Sequence, residues 1–354
     1  MIDWRPDVLG DGFEQLTFEL GIDDDPGLVD STRDTQQGPL NAHQLVATLV
    51  RSLPEPLSWW NRLTGRQRGL EDVDVLYVHG WSDYFFQADL ARFWTLRGAR
   101  FFALDLRRYG RSLRPGQTAG YIADLGDYDA EIDFALAEMR ASAPRSQEAR
   151  KLVLLGHSTG GLVLSLWASR HPGIADALVL NSPWLELQLS ARGRQMIAPI
   201  VNLGAKYSPL EGIPQLDYGF YARAVRTVGP ASDVERINTE WKPEQSHPVH
   251  AGWLRAILAG HDSVYRGLNI EAPVCVLLSR RSALPTRWSE ELTRADSVLD
   301  VDDISRAALR LGPSVTVERI DGALHDVFVS GDVPRADAYA RLGRFAQGWR
   351  CALD

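Results

Sequence analysis

The sequence predicts an α/β fold on a mostly parallel sheet, and three observations carry that expectation. Short apolar runs ending in turn residues recur along the chain. Helical patterns separate them. One run stops at Gly156-His157-Ser158-Thr159-Gly160, and a second apolar segment starts at once.

The runs are VDVLYVHG (73–80), RFFALDL (100–106), KLVLLGHS (151–158), DALVLNSP (176–183), PVCVLLS (273–279) and VTVERIDG (315–322). Most are apolar over several consecutive residues and rich in Val and Leu, which suits strands buried on both faces of a parallel sheet. Ahead of them, FEQLTFEL (13–20) and LVATLVRSL (45–53) read as antiparallel strands at the sheet's edge, which gives an eight-stranded sheet. Between the runs, YDAEIDFALAEMRASA repeats apolar residues at Ile132, Leu136 and Met139, the spacing of a helix face. GGLVLSLWASRHP reads as a helix ended by Pro172. Such alternation implies βαβ units with right-handed crossovers and helices on both faces.

The alternation breaks over residues 184–263. Six prolines fall there, together with Trp184, Tyr207, Tyr218, Phe220, Tyr221, Trp241 and Trp253. The stretch is too long and too apolar for a structureless loop. It is expected to be a cap inserted into a core made of residues 1–183 and 264–354.

Composition narrows the function. The 354 residues are 45% hydrophobic and 24% charged, an ordinary globular balance. A net charge of −8 and a pI near 5.5 argue against a polyanionic partner such as nucleic acid. Two cysteines, Cys275 inside an apolar run and Cys351 near the end, suggest no disulfide framework. The N-terminal stretch MIDWRPDVLGDGFEQ has neither a basic nor an apolar leader region. No apolar run approaches the ~20 residues of a membrane span. A reducing, cytoplasmic setting is expected.

The serine between glycines fits Gly-x-Ser-x-Gly, with a strand before it and a helix after it. A sharp strand-to-helix turn strains the serine backbone and lifts its hydroxyl clear of the sheet. Helix and neighbouring strand then crowd together, so Gly156 and Gly160 leave the needed room. The helix N-terminus beneath favours developing negative charge. A serine hydroxyl is a weak nucleophile at neutral pH and needs a base oriented by an acid. Of eight histidines, His325 stands out, just past the last strand in IDGALHDVFVS. Loops after strand C-termini converge on the site in open α/β sheets. His157 is expected to point away from the elbow. His247-Pro-Val-His250 has the look of a metal pair, but no third ligand is evident and it is read as a surface pair.

With YVHGWSDY, DLRRYGRS, GHSTGG and GALHDVF in place, the chain from about Val73 onward resembles the α/β-hydrolase superfamily. It is most similar to the monoacylglycerol lipase, lysophospholipase and serine-aminopeptidase-like group. The resemblance implies Ser158 as nucleophile and His325 as base. His79-Gly80 matches an oxyanion loop, which makes the backbone N–H groups of Trp81 and Thr159 the implied oxyanion donors. DLRRYGRS matches Asp-x-x-Gly-x-Gly-x-Ser except that Arg108 replaces the first glycine, and Asp105 is read as structural. The acid follows the seventh strand as Asp-x-Val-Val. Asp296-Ser297-Val298-Leu299 fits best, with Asp300, Asp302 and Asp303 as competitors on the same loop.

The expected activity is cleavage of carboxylic esters, such as monoacylglycerols or lysophospholipids, through an acyl-enzyme. It calls for no metal and no organic cofactor. An aromatic cap suits acyl chains. Trp81, Tyr84, Phe85 and Phe86 are candidates for the acyl side, with a core position the alternative for the two phenylalanines. One rival is an aminopeptidase or amidase that holds a substrate amine with Glu186, Glu211, Asp217 or Asp233. Another is a non-catalytic binding protein on the same fold. Epoxide hydrolases and dehalogenases place an aspartate at the elbow, and Ser158 argues against them.

Overall fold

A computed structural model describes residues 3–22, 43–56, 68–144, 150–187, 201, 203–213, 217–283 and 287–352. The central sheet runs in the order β1-β2-β3-β5-β4-β6-β7-β10-β11. Its members are β1 (Arg5–Pro6), β2 (Glu14–Ile22), β3 (Gln44–Ser52), β4 (Val73–Val78), β5 (Arg100–Asp105), β6 (Lys151–His157), β7 (Ala177–Asn181), β10 (Val274–Ser279) and β11 (Val315–Ile320). The eight expected strands are all present. The ninth, β1, adds two residues to the edge, too short to show as a pattern. Strands β4 to β7, β10 and β11 pair in parallel, while β1, β2 and β3 join antiparallel.

Strand residues alternate between two cores. Leu76 and Val78 of β4 and Leu154 of β6 pack on one face, with Trp167, Ile132 and Ile257. Val75, Tyr77, Val153 and Leu155 pack on the other, with Trp94, Phe328 and Leu342. The first face is covered by α2 (Asp129–Ala141), α3 (Thr159–Arg170) and α7 (Val301–Ala308), and the second by α1 (Ala88–Thr95) and α8 (Asp332–Cys351). The predicted helix face holds: Ile132, Leu136 and Met139 are buried. Apolar residues on both pleat faces are what a doubly covered parallel sheet requires.

Within the aromatic, proline-rich stretch lie α4 (Phe220–Val228), α5 (Ala231–Val234) and the two-stranded sheet of β8 (Gly212–Ile213) and β9 (Val249–His250). The helix α6 (Ala251–Arg266) follows β9 directly. The expected boundary at residue 263 therefore falls inside α6, which continues to Arg266. The helix belongs to the core packing: Trp253 and Ile257 are buried in the first cluster, and a Cβ at Gly260 would touch Leu125, Leu162 and Leu166 at 3.1–3.2 Å.

Candidate active site

The elbow is built by close approach. A Cβ on Gly156 would lie 2.6 Å from the Cα of Gly161, and one on Gly160 would lie 2.3 Å from the carbonyl oxygens of Val78 and His79. Both positions are therefore closed to any side chain without a backbone shift. Ser158 takes φ 50°, ψ −117°, outside the regions a non-glycine residue normally visits. Four backbone hydrogen bonds hold it there: its N–H donates to Asn181 O (3.0 Å), and its carbonyl accepts from Gly161 N (3.0 Å), Leu162 N (3.3 Å) and Trp184 N (2.9 Å). Strain of this kind persists only where the surroundings over-determine it.

His325 lies 29 residues after Asp296, and its Nδ1 is 2.9 Å from Asp296 Oδ2. Asp296 is 0% exposed, and its other oxygen accepts from the N–H groups of Val298 (2.8 Å) and Leu299 (2.9 Å). The carboxylate is thus fixed, with one oxygen reserved for the imidazole. It reaches this place through a single bridge to Ser282 beyond β10, closed by bonds to Arg281 O and from Ala283 N. The competing acids are engaged elsewhere. Asp300 caps α7, accepting from the N–H groups of Asp302 and Asp303. Asp302 pairs with Arg319 at 2.6 Å, and Asp303 pairs with Arg306.

Ser158 and His325 open on one cavity of about 410 Å³, lined also by Gly80, Trp81, His157, Thr159 and residues of the 184–263 stretch. Trp81, Trp184, Phe220, Trp253, Val298 and Leu299 make its apolar side. His79 does not face it. Leu106 N–H donates to His79 Nε2 (3.1 Å), so Nδ1 carries the proton and donates to Gly80 O (2.8 Å). Burial lowers the pKa of His79, so the ring stays neutral and brackets the loop before Trp81 to the end of β5. His157 bonds Asn181 O through Nδ1 (3.1 Å), is likewise lowered by burial, and lies 5.0 Å from the His325 ring.

Asp105 receives the N–H groups of Phe85 (3.0 Å) and Arg111 (3.0 Å) and the Arg111 guanidinium (2.8 Å), so it orders the loop after β5. Arg108, standing where the resembled motif has glycine, adopts φ +63°, the left-handed region that glycine would take without strain. Gly110 has φ +47°, and a Cβ there would fall 2.4 Å from Tyr84 Cβ.

Several expectations need correction. Tyr84, Phe85 and Phe86 are 1%, 0% and 1% exposed and pack in the second core, so the core alternative holds for the two phenylalanines; of that aromatic group only Trp81 lines the cavity. The chain turns inward after Asp83, and the second core takes all three rings. His250 Nδ1 bonds Leu210 O (2.8 Å), and His247 N–H donates to Ser82 Oγ (3.0 Å), so both histidines brace the fold. No group of three or more metal-ligating side chains is found among the described residues. Of the four candidate amine-binding acids, only Asp217 lines the cavity. Its carboxylate is already taken by Gly219 N, Ser246 N and Ser246 Oγ at 2.7–2.8 Å.

Two features escaped the sequence. Asp326, next to His325, is buried and bonded by Asn181 Nδ2 (2.7 Å), Gln87 Nε2 (2.8 Å) and Phe328 N (2.9 Å). Burial alone would raise its pKa, but neighbouring His157 and these donors hold it below the usual carboxylate range. The second feature is an ion pair inside the cavity: Lys242 Nζ lies 2.7 Å from Asp83 Oδ1, and both residues line the wall.

Sheet order, strained elbow and loop-borne side chains at the strand C-termini define an α/β hydrolase. More particularly, the chain belongs to the Hydrolase_4 family (serine aminopeptidase, S33), whose model matches residues 72–287. Human 1-acylglycerol-3-phosphate O-acyltransferase ABHD5 is 26% identical over 150 residues, 41% of this chain and 38% of that protein. Phospholipase YtpA of Bacillus subtilis is 30% identical over 146 residues, 38% of this chain and 52% of the phospholipase. The chain thus spans less than two thirds of either relative. Among solved structures, the monoacylglycerol lipase of Paleococcus ferrophilus superposes with a TM-score of 0.57 at 17% identity, covering 78% of this chain and 94% of the lipase. A soluble variant of the Saccharomyces cerevisiae monoglyceride lipase gives 0.57 at 17%, covering 86% and 92%. At such identities the superpositions speak for the fold alone.

Proposed function

We propose that the protein hydrolyses carboxylic esters through an acyl-enzyme on Ser158. The observation that carries this reading is the buried His325–Asp296 pair opening on the same cavity as the strained serine. In the proposed reaction Ser158 Oγ attacks the ester carbonyl carbon and its proton passes to His325 Nε2. Asp296 holds the Nδ1–H tautomer and offsets the imidazolium charge. The amides of Trp81 and Thr159 stabilise the oxyanion, where one lost donor typically costs about 3–4 kcal/mol. Collapse expels the alcohol, protonated by His325. Water, deprotonated by the same ring, then releases the acid.

The aromatic wall of Trp81, Trp184 and Trp253 suits an acyl chain, and the cavity has the size of a small-molecule site. Monoacylglycerols or lysophospholipids are the substrates proposed. The names of the phospholipase and acyltransferase relatives both concern acyl lipids. The stretch from residue 184 to the start of α6 acts as the cap, because its described residues supply about half of the lining of the serine's cavity. Two free cysteines, one buried, suit a reducing cytoplasmic setting. No helix among the described residues is long and apolar enough to cross a membrane. The amide-cleaving alternative needs a carboxylate free to bind an amine, and Asp217 is committed to other donors.

The test is p-nitrophenyl ester hydrolysis across acyl chains of increasing length, with Ser158→Ala as control and aminoacyl-anilides for comparison. Turnover that peaks with chain length and vanishes in the variant supports the reading. Turnover of the anilides alone moves it to amides. Failure of a fluorophosphonate to label the folded wild type leaves a binding protein.

A further inference from the structure

The loop after β4 holds the proposed oxyanion donor Trp81, yet core contacts alone do not fix it. Its next three residues each bond the stretch 236–247. Ser82 Oγ accepts from His247 N–H at 3.0 Å. Asp83 Oδ1 meets Lys242 Nζ at 2.7 Å. Tyr84 OH donates to Arg236 O (3.0 Å) and accepts from Asn238 N–H (2.8 Å), while its ring meets Trp241 edge-on, centroids 5.2 Å apart. Ser82 itself has φ +53°, a left-handed conformation for a non-glycine residue, one position after Trp81. Such a conformation is held against its strain by what surrounds it, and here much of what surrounds it belongs to the inserted stretch.

The ion pair is the central member. Asp83 is 2% exposed, and Oδ1 also accepts from Tyr84 N–H at 2.9 Å. The Lys242 side chain is 13% exposed and lies near the rings of Phe86 (5.4 Å) and Tyr221 (5.8 Å). Removing one partner of such a pair leaves a buried charge uncompensated. The carboxylate would then turn to other donors and take its loop with it.

We infer that the Asp83–Lys242 pair is a positioning device for the oxyanion hole: the inserted stretch, through Lys242, sets where the Trp81 amide sits. The inference rests on the ester-hydrolase reading above. Lys242 acts through Asp83 and the loop, and touches neither nucleophile nor base. Its effect falls on the tetrahedral intermediate and the transition states around it, because the carbonyl oxygen becomes an oxyanion only there.

The experiment compares Lys242→Met, Lys242→Arg, Asp83→Asn and the double variant Asp83→Asn/Lys242→Met with wild type on one p-nitrophenyl ester. Rates are divided by the fluorophosphonate titre, so loss of folded protein drops out. For Lys242→Met a misplaced donor lowers kcat about 10- to 100-fold with KM within about twofold. A trifluoromethyl ketone, which forms the same oxyanion on the serine, weakens in proportion to kcat/KM. Lys242→Arg restores most of the rate, and the double variant is no worse than either single one, as for residues acting as one unit. Unchanged kcat per titrated site overturns the inference. So does a KM that rises with kcat intact, which would make Lys242 a substrate contact. An inactive, unlabelled wild type instead defeats the ester-hydrolase reading, so the two failures are distinguishable.

Discussion

His325 Nδ1 and Asp296 Oδ2 stand 2.9 Å apart with the carboxylate fully buried, and the second carboxylate oxygen of Asp296 is held by two backbone N–H groups. An ion so restrained can present only one face to the ring. Replacing it by asparagine keeps the shape but offers His325 the wrong hydrogen-bonding partner. Asp296→Asn is expected to lower kcat by about 10⁴-fold with the fold retained, measured by ester hydrolysis and circular dichroism. Asp300→Asn provides the contrast: it alters only the cap of α7, and activity should stay within a factor of about two.

Ser158→Ala removes the proposed nucleophile without touching its backbone partners Asn181, Gly161 and Trp184. Ester turnover should fall by at least about 10³-fold and fluorophosphonate labelling should disappear. Retained labelling would locate the reactive serine elsewhere.

Gly160→Ala tests the packing behind the elbow. Its Cβ would meet the carbonyl oxygens of Val78 and His79 at 2.3 Å, so helix α3 must move off β4. A loss of roughly 3 kcal/mol or more is expected from chemical denaturation, at the upper end for overpacking because backbone blocks the way. Gly173→Ala meets no neighbour within 4 Å, but its φ of +75° still strains an alanine, so a loss of about 1 kcal/mol is expected there.

Asp233 joins α5 to the start of α1 by accepting the N–H of Ala88 at 3.1 Å, while its other oxygen is buried without a partner. Burial, reinforced by the charge of Asp89, raises its pKa from 3.8 to about 7. The folded-state value lies above the unfolded one, so the protonated form favours folding. That contribution is full below about pH 4 and is lost as pH rises through 7. Asp233→Asn should therefore flatten stability between pH 5 and 8. At pH 8 it should raise stability by roughly 1–2 kcal/mol, read from urea titrations at each pH. A variant as pH-sensitive as wild type would assign the titration to another group.

The sheet was legible because a strand buried on both faces has no reason to alternate, so β6 and β10 stand out as continuous apolar runs and β4 is broken only at Asp74. The elbow was legible for a related reason: glycine, serine and glycine meet there between a strand and a helix, a junction few other residues fit. What lay hidden depends on separation in sequence. Lys242 and Asp83 are far apart along the chain and meet only because residues 236–247 run beside the loop after β4. Asp326 looked like any loop acid until Asn181 and Gln87 closed around it. Tyr84, Phe85 and Phe86 misled because an aromatic run states affinity for an apolar place without saying which one.

The two-residue strand β1 has a bearing on how the protein keeps apart from its own copies. Among the described residues the sheet has nine strands and two margins, and each margin could recruit another chain by continuing the ladder. On one margin Pro6 has no N–H to offer, and it is flanked by the charged pair Asp3 and Arg5 at 3.1 Å. On the other, β11 carries Glu318 and Arg319, the first paired with Arg341 and the second with Asp302. Proline at one border and ionic side chains at the other are devices by which β-proteins resist joining edge to edge, so the large parallel sheet is shielded from fibrillar growth at both ends.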